Sequence, residues 1–388
     1  MSNRQEKIFV AHPAFFGNEK KYVQECLDTM WISSAGRFVS CFEEEFARFC
    51  GVEYAIACDT GTSALHLALM GLNVGPGDEV IVPTLTFVAT ANAVRYCGAE
   101  PVFVDSEPRT MNLDPDKIEG AITPQTRGIV AVHLYGHPAD LDPILDIAQR
   151  HNLFVLEDAA EAHGAKYRGR TVGAIGSAAC FSFFGNKIVT TGEGGMVTTR
   201  NAAFAEKVRL LRGQGMDPQR RYWFPVVGYN YRMTNIQAAI GLEQMENIEQ
   251  HLSARVRVSS LYYRYLKPYE QFIELPVEET WAHHAFWMYT VLLKPNVFMD
   301  RDLVMEKLAA DGIETRPVFY PMHTLPPYCA GTRAFPVAER LSRWGISLPT
   351  HALLSEGDVA YIAKRLGAIC EEAQQSLRWT ATAATEAG

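Results

Sequence analysis

The sequence has no segment suited to crossing a membrane. It contains no run of about 18 consecutive apolar residues, and residues 1–10 lack the apolar core of a secretion signal. Basic residues are too few to balance the acidic ones. The net charge of −8 argues against nucleic acid as the main partner, although it leaves room for a local basic pocket. We therefore expect a cytoplasmic protein with no membrane or nucleic-acid partner.

Cysteine is also sparse and follows no pattern. None of the eight cysteines lies in a Cys-x-x-Cys pair or at the spacing of metal ligands, and the sequence has no internal repeat. Scattered cysteines of this kind are typical of small core residues in a reduced protein. We predict no metal site.

What the sequence does contain is an alternation of short apolar strands, such as Tyr54–Cys58 and residues 153–156, with stretches of helical periodicity. This order predicts right-handed crossovers and a mainly parallel sheet. In such sheets the chemistry collects beyond the carboxyl ends of the strands. Because 48% of the 388 residues are hydrophobic, the chain can form ample apolar core. From the alternation we predict an α/β protein with a large domain at residues 1–250. A smaller C-terminal α+β domain is expected at residues 251–377 and a disordered tail at residues 378–388.

Two segments depart from this alternation. Residues 213–231 show no periodicity, which is typical of a binding loop or of a segment that reaches a partner subunit. Thr234 is predicted to cap one long helix that continues towards Leu266. Residues 358–377 are predicted to form the last helix.

One lysine stands at the end of an apolar run. Phe181-Ser182-Phe183-Phe184-Gly185-Asn186 leads to Lys187, and hydroxyl side chains and glycines follow. A surface lysine is almost fully protonated at neutral pH and is a poor nucleophile, but burial among the three phenylalanines would lower its pKa. Such a lysine can form a Schiff base with a carbonyl compound and later carry protons. The alternative interpretation is a solvated lysine that ends a strand.

Two further features fit the same chemistry. Asp158 follows a strand, and Asp59-Thr60-Gly61-Thr62-Ser63 joins a strand to a helix start, where free N–H groups and the helix dipole favour an anion. With Lys187, they predict pyridoxal 5'-phosphate as cofactor, because Asp158 would keep its pyridine nitrogen protonated. Taken singly, Asp158 could be a capping or ion-pair residue and the glycine turn a simple helix cap. The hypothesis assigns phosphate binding to Gly61, Thr62 and Ser182, and stacking on the cofactor ring to Phe87.

A series of short blocks then occurs in the order found in one known family. They lie at residues 31–34, 61–69, 83–86, 132–138, 157–162, 182–187, 192–196, 228–235 and 314–321. On these blocks the chain resembles the DegT-type sugar-nucleotide aminotransferases from about residue 17 to residue 366. The resemblance implies a pyridoxal-phosphate-dependent transferase of fold type I, like aspartate aminotransferase, that works as a homodimer or dimer of dimers with shared active sites.

The resemblance also implies roles for individual residues. Lys187 would carry the cofactor as a Schiff base and Asp158 would pair with the ring nitrogen. The chain departs from the family at Asp59-Thr60, where relatives have Ser-Asn, so Asp59 is expected to turn away from the phosphate or to cap the helix. By the same resemblance, Glu161 would contact the cofactor ring, and Thr62 and Ser182 would bind its phosphate. Asn230 would reach the phosphate of the neighbouring subunit's cofactor.

The reaction that the resemblance implies has two halves. L-Glutamate would convert the cofactor to pyridoxamine 5'-phosphate, and C4 of a nucleotide-linked 4-keto-6-deoxy sugar would then receive the amine. The expected sugar is GDP-4-keto-6-deoxy-D-mannose, in the synthesis of a polysaccharide such as O-antigen. Candidate substrate-binding residues, each of which could instead be an ion-paired or stacked surface side chain, are Trp31, Arg220, Arg221, Arg316, Tyr320 and His323.

Three alternatives stay open from the sequence. The first is the same chemistry on a UDP- or dTDP-linked sugar, at C3 or C4. The second is a 3-dehydratase, but related dehydratases have histidine in place of Lys187, so the lysine favours amino transfer. The third is a non-catalytic sugar-nucleotide sensor, against which the joint presence of Lys187, Asp158 and the phosphate-binding groups argues.

Overall fold

The central sheet of the described residues has seven strands and is mainly parallel. The computed structural model describes residues 7–297, 299–329 and 333–386, with side chains up to residue 375. The strand order is β1-β9-β8-β5-β4-β2-β3, and only the two pairs that involve β9 are antiparallel. In chain order the strands are β1 (Tyr54–Cys58), β2 (Glu79–Pro83), β3 (Glu100–Val104), β4 (Thr126–Val132), β5 (Phe154–Asp158), β6 (Lys166–Tyr167), β7 (Arg170–Thr171), β8 (Ala178–Ser182), β9 (Gly195–Thr199), β10 (Ile273–Glu274), β11 (Ala282–His283), β12 (Tyr289–Leu293), β13 (Arg316–Pro317) and β14 (Gly345–Leu348).

Both faces of this sheet are covered. Val80 and Val130 belong to one apolar core and their chain neighbours Ile81 and Ile129 to another, as expected when alternate residues of a strand point to opposite faces. No helix in the described ranges is both long and apolar enough to span a bilayer. The helices are α1 (Glu19–Asp28), α2 (Arg37–Cys50), α3 (Gly61–Gly71), α4 (Ala89–Tyr96), α5 (Leu141–His151), α6 (Ala202–Arg212), α7 (Asn235–Glu246), α8 (Ile248–Leu266), α9 (Arg301–Ala310), α10 (Pro336–Trp344) and α11 (Glu356–Glu386).

The long helix predicted from Thr234 to Leu266 is in fact two helices. Thr234 does cap α7, in a reciprocal arrangement with Gln237. The helix is interrupted at Asn247, whose ψ of 22° is not helical and whose side chain donates a hydrogen bond to Oε1 of Glu243 at 2.5 Å. Side-chain bonds of this kind compete with the helical backbone.

A second, antiparallel sheet has the order β10-β12-β14-β13 and packs with α8, α9 and α11 around its own apolar core. The sequence did not reveal β14 or α10. Helix α11 continues to Glu386, beyond residue 377 where we expected it to end, and residues 387–388 of the predicted tail lie outside the described residues. The separate sheets and cores are those of an α/β unit followed by an α+β unit, and a boundary at residue 250 stays a prediction.

Two buried carboxyl groups fasten the N-terminal segment to α7. Glu19 accepts hydrogen bonds from the N–H of Gly17 (3.1 Å) and from Nε2 of Gln244 (2.8 Å). Oε1 of Glu243 accepts from the N–H of Asn18 (3.0 Å), whereas its buried Oε2 has no hydrogen-bond donor in the described residues. Burial and, next, the carboxyl group of Glu19 raise the pKa of Glu243 from 4.5 to about 7. We infer that Glu243 holds a proton in the folded protein below about pH 7.

This pair predicts a pH-dependent effect of Glu243→Gln. Because the folded-state pKa lies above the ordinary value, the folded protein binds more protons than the unfolded chain between pH 4.5 and 7, so its stability falls as pH rises through that range. An amide in place of the acid removes this loss. We expect urea unfolding to show a gain of about 1–2 kcal/mol at pH 8 and little change at pH 5. Exposed Glu249→Gln is the control, and equal effects at both pH values would contradict the assignment.

Candidate active site

A cavity of about 460 Å³ lies at the carboxyl ends of the parallel strands, within the size range of small-molecule sites. Several elements meet there because the chain leaves β1, β2, β4, β5 and β8 at the same edge of the sheet. The predicted residues that line this cavity are Gly61, Thr62, Phe87, Asp158, Glu161, Ser182, Lys187 and Arg316.

Lys187 points into this cavity and is almost fully buried. Its side chain is 10% exposed, and its Nζ lies 3.5 Å from Oε1 of Glu161 and 3.7 Å from the centre of the Trp287 ring. Burial lowers the pKa of Lys187, while the carboxyl groups of Glu161 and Asp158 oppose that shift. An amine with a lowered pKa is more readily available as a nucleophile.

Three phenylalanines were predicted to bury this lysine, but only Phe184 lines the same cavity. Phe181 and Phe183 pack away from the lysine, against Phe46 in the apolar core, with ring centres 4.8 and 5.3 Å apart. Phe184 is 46% exposed. The walls around Nζ are instead the Trp287 ring and Glu161, which the apolar run before Lys187 could not reveal.

Asp158 is the last residue of β5 and faces the cavity. Its two carboxyl oxygens accept hydrogen bonds from Oγ1 of Thr90 (2.7 Å) and from the N–H of Ala160 (3.2 Å). Burial raises the pKa of Asp158, and these two donors oppose the shift. The buried carboxylate is therefore held in place and available to a cationic or protonated group in the cavity.

Glu157 immediately before it points the other way, as successive strand residues must. Its oxygens accept hydrogen bonds from the N–H groups of Gly173, Ile175 and Gly176 at 2.7–2.8 Å and pair with Nε2 of His133 at 3.1 Å. Glu157 does not line the cavity. Glu157 thus stabilises the fold, whereas the carboxylate of Asp158 faces the cavity.

The start of α3, where an anion site was predicted, lies next to Ser182 at the cavity. Thr60 caps the helix, because its Oγ1 accepts from the N–H of Ser63 at 3.0 Å. Asp59 therefore does not serve as the cap, and it does not line the cavity. A Cβ atom on Gly61 would lie 2.7 Å from Cβ of Ser182, so only glycine allows this close approach. The first N–H groups of a helix lack intrahelical partners and attract anions.

Glu161 is buried beside Lys187 in the cavity wall. Its Oε2 accepts a hydrogen bond from the N–H of Tyr135 at 2.8 Å. Burial raises the pKa of Glu161 to about 7 against the opposing effect of Lys187. Tyr135 has a φ of 56°, an unusual value for an aromatic residue, which is part of the geometry that carries its N–H group to the carboxylate.

The cavity-lining residues that sequence reasoning missed include Thr90, Trp287 and Phe319. Thr90 lies in the first turn of α4, where a hydroxyl gives no distinctive signal. Trp287 and Phe319 come from the C-terminal part of the chain, and nothing in their local sequence indicates which residues they contact. Phe319 lies 5.7 Å from the half-exposed ring of Phe87.

The other predicted residues do not line the cavity in the single chain. His323 contacts Thr84 (2.7 Å) and Glu339 (3.2 Å). Arg220 and Arg221 lie over the rings of Trp223 and Tyr222 in the segment at residues 213–234, which contains no helix or strand. The exposed ones are Trp31, Arg220, Arg221, Asn230 and Tyr320.

Comparison with known sequences points to amino transfer. A family model described as the DegT/DnrJ/EryC1/StrS aminotransferase family matches residues 15–367. A GDP-perosamine synthase from Caulobacter vibrioides is 58% identical over 354 residues, which is 91% of this chain and 95% of the relative. A GDP-perosamine synthase from Escherichia coli O157:H7 is 45% identical over 359 residues, which is 92% of this chain and 97% of the relative.

Solved structures agree with these sequence matches. DesI, determined in the presence of its TDP-sugar product, has 32% identity and a TM-score of 0.91, covering 97% of this chain and 96% of its own. Spr1654 from Streptococcus pneumoniae, determined in a PLP form, has 26% identity and a TM-score of 0.90, covering 95% of this chain and 99% of its own. The predicted family, fold class and cofactor are confirmed.

Proposed function

The chain belongs to the DegT/DnrJ/EryC1/StrS aminotransferase family, and we propose that it transfers an amino group from L-glutamate to C4 of GDP-4-keto-6-deoxy-D-mannose, giving GDP-perosamine. The enzyme is a pyridoxal-phosphate-dependent sugar aminotransferase. The observation that supports the choice of substrate is the 58% identity, over 91% of the chain, to a protein named GDP-perosamine synthase.

The residues of the cavity fit pyridoxal phosphate. The cavity offers an amine on Lys187, a buried carboxylate on Asp158 that already has two donors, and a helix start beside Ser182 for a phosphate. When bound, the cofactor supplies an electron sink for the negative charge that develops at the carbon bearing the amine. Asp158 would pair with the ring nitrogen, and Gly61, Thr62 and Ser182 would hold the phosphate.

The protein's own groups would then divide the work of the reaction. Lys187 would hold the cofactor and, when its amine is free, take up and return a proton at Nζ. Asp158 would keep a proton on the ring nitrogen through its negative charge. The aromatic side chains of Phe87, Trp287 and Phe319 line the cavity and would exclude water from the reacting groups.

A product assay tests the choice of substrate directly. The purified protein is incubated with L-glutamate and one 4-keto-6-deoxy sugar at a time, linked to GDP, UDP or dTDP. The products are identified by mass spectrometry and NMR. We expect amination at C4 of the GDP sugar alone. Turnover of a UDP- or dTDP-linked sugar, or amination at C3, would replace the substrate assignment, and no amination of any of them would contradict the function.

We also propose that the active sites are shared within a homodimer. Residues 222–227 expose Tyr222, Trp223, Phe224 and Val227, with Val227 84% exposed, and exposed apolar patches of this kind mark interfaces. Asn230 lies at the end of this patch and outside the cavity of its own chain. In the dimer it would reach the cofactor phosphate of the neighbouring subunit, and Trp31, Arg220 and Arg221 would lie near the nucleotide.

A hybrid dimer tests this sharing. Lys187→Ala and Asn230→Ala chains, each expected to be impaired, are co-expressed with different tags and allowed to assemble. If each site takes residues from both chains, half of the dimers contain one intact site, and roughly a quarter of the wild-type activity should return. Activity no higher than that of the separate variants, or a monomer by light scattering, would contradict the shared site.

A further inference from the structure

We propose that Glu161 is a second proton-exchanging residue of this site, which accepts a proton from Nζ of Lys187 and returns it whenever that amine is free. The proposal rests on the proposed function, in which Lys187 is the reacting amine. In the exchange an N–H bond of the ammonium breaks and an O–H bond forms at Oε1, so a charged pair becomes a neutral pair and no other reactant is needed.

The first support is the placement of the two oxygens of Glu161. Oε2 is fixed by the N–H of Tyr135 at 2.8 Å, which leaves Oε1 facing Nζ of Lys187 at 3.5 Å. Both side chains are at most 10% exposed, so bulk water screens the pair only weakly. A small movement of the lysine side chain would bring the two atoms within hydrogen-bond distance.

The second support is the strained backbone that supplies this N–H group. Tyr135 adopts a φ of 56°, which costs about 1 kcal/mol or more for a residue with a side chain. Its ring lies nearly parallel to that of Trp287, at 6.2 Å, and its hydroxyl accepts from the N–H of Phe319. The packing of the tyrosine therefore maintains an unfavourable backbone conformation that orients Glu161.

The third support is Trp287, which contacts the same amine. Nζ lies 3.7 Å from the ring centre, and the indole N–H donates to the carbonyl oxygen of Asn186 at 2.8 Å. An aromatic face attracts the ammonium form more than the neutral amine. Lys187 therefore has a carboxyl group that can take its proton and a ring that favours its protonated form.

Burial of the pair brings the two proton positions closer in free energy than they are in water. Burial raises the pKa of Glu161 to about 7 and lowers the pKa of Lys187, so the two values approach each other. Asp158 has two donors of its own, whereas Glu161 has one besides the lysine. Asp158 and Arg316 also act on the pair through their charges, and Tyr135 acts through its backbone N–H group. The charge of Lys187 in turn acts on the buried His163.

A purely structural role for Glu161 would be met equally well by glutamine. The amide oxygen of Glu161→Gln can still accept from the N–H of Tyr135, and the substitution conserves volume. It can neither take a proton nor hold a negative charge beside the ammonium. Glu161→Asp keeps the acid and serves as the conservative variant.

The first measurement uses the cofactor-free protein. Reductive methylation of Lys187 is followed against pH by peptide mass spectrometry in the wild type and both variants. Because the charge of Glu161 raises the pKa of Lys187, the midpoint of labelling should fall by about one pH unit in Glu161→Gln and return towards the wild-type value in Glu161→Asp. An unchanged midpoint in Glu161→Gln would overturn the proposal.

The second measurement uses the loaded enzyme. The pH profile of kcat should lose its limb near neutrality in Glu161→Gln and regain a limb in Glu161→Asp, with KM for the amino donor nearly unchanged. A wild-type profile in Glu161→Gln would also overturn the proposal. If the wild type itself aminates no sugar, the proposed function fails, but the labelling midpoint still decides whether Glu161 and Lys187 are coupled.

Discussion

Lys187→Ala should lower turnover about 10³-fold or more, because the substitution removes both the group that holds the cofactor and the group that moves the proton. The free energy of unfolding should not fall. Burial of Lys187 costs free energy, as the lowered pKa indicates, so the urea midpoint of the variant should be equal to or above that of the wild type. Turnover is measured by product formation, and cofactor content by absorbance after denaturation.

Lys207→Ala is the matched control for this variant. Lys207 is also partly buried and hydrogen-bonded, to the carbonyl oxygen of Gly71 and to Oδ1 of Asn73, but it lies on α6 and does not line the cavity. Its replacement should leave turnover within about twofold, because Lys207 lies outside the cavity. Wild-type turnover in Lys187→Ala would contradict the assigned role.

Asp158→Asn should lower turnover by about 10²–10³-fold, which is typical for the loss of one preorganised electrostatic contact. The amide oxygen of asparagine can still accept from the N–H of Ala160, and its NH₂ group can donate to the hydroxyl oxygen of Thr90, which also bonds Thr86, so the local structure should be retained. It carries no negative charge, however, and cannot keep the ring nitrogen of the cofactor protonated. The expected result is a large fall in kcat with little change in the free energy of unfolding.

The adjacent residue provides the contrasting control. Glu157→Gln would place an amide NH₂ group against the N–H donors of residues 173–176 and leave turnover of the remaining folded protein largely intact. We expect it to lower the free energy of unfolding by about 2–4 kcal/mol, as is usual when a buried hydrogen-bonded carboxylate loses its partners. Loss of turnover in Glu157→Gln with full stability, or loss of stability alone in Asp158→Asn, would reverse the two assignments.

The parts of the site that could be predicted from the sequence are those set by single elements. Asp158 and Ser182 end parallel strands, and Gly61 begins a helix after a strand, so their meeting at one edge follows from the alternation of elements. The cofactor hypothesis depended on this edge and on Lys187. The same reasoning predicted the mainly parallel sheet, because buried strands in such sheets are apolar on both faces.

The parts that could not be predicted depend on contacts between distant segments. Trp287 contacts Lys187 from 100 residues further along the chain, and local sequence says nothing about that pairing. The phenylalanines before Lys187 looked like its surroundings, but two of them belong to the apolar core. The helix break at Asn247 depends on one side-chain bond. The proposed nucleotide contacts lie on exposed segments and, in the proposal, are completed by a second chain, whose position no single sequence element determines.

Borohydride reduction of the loaded enzyme, followed by digestion and peptide mass spectrometry, tests the role of Lys187 most directly, because it traps the cofactor on the side chain that holds it. The account predicts the reduced cofactor on the peptide that contains Lys187, with the label lost when L-glutamate is added before the reductant. A label on a different lysine, or no covalent label on a protein that binds the cofactor, would contradict it.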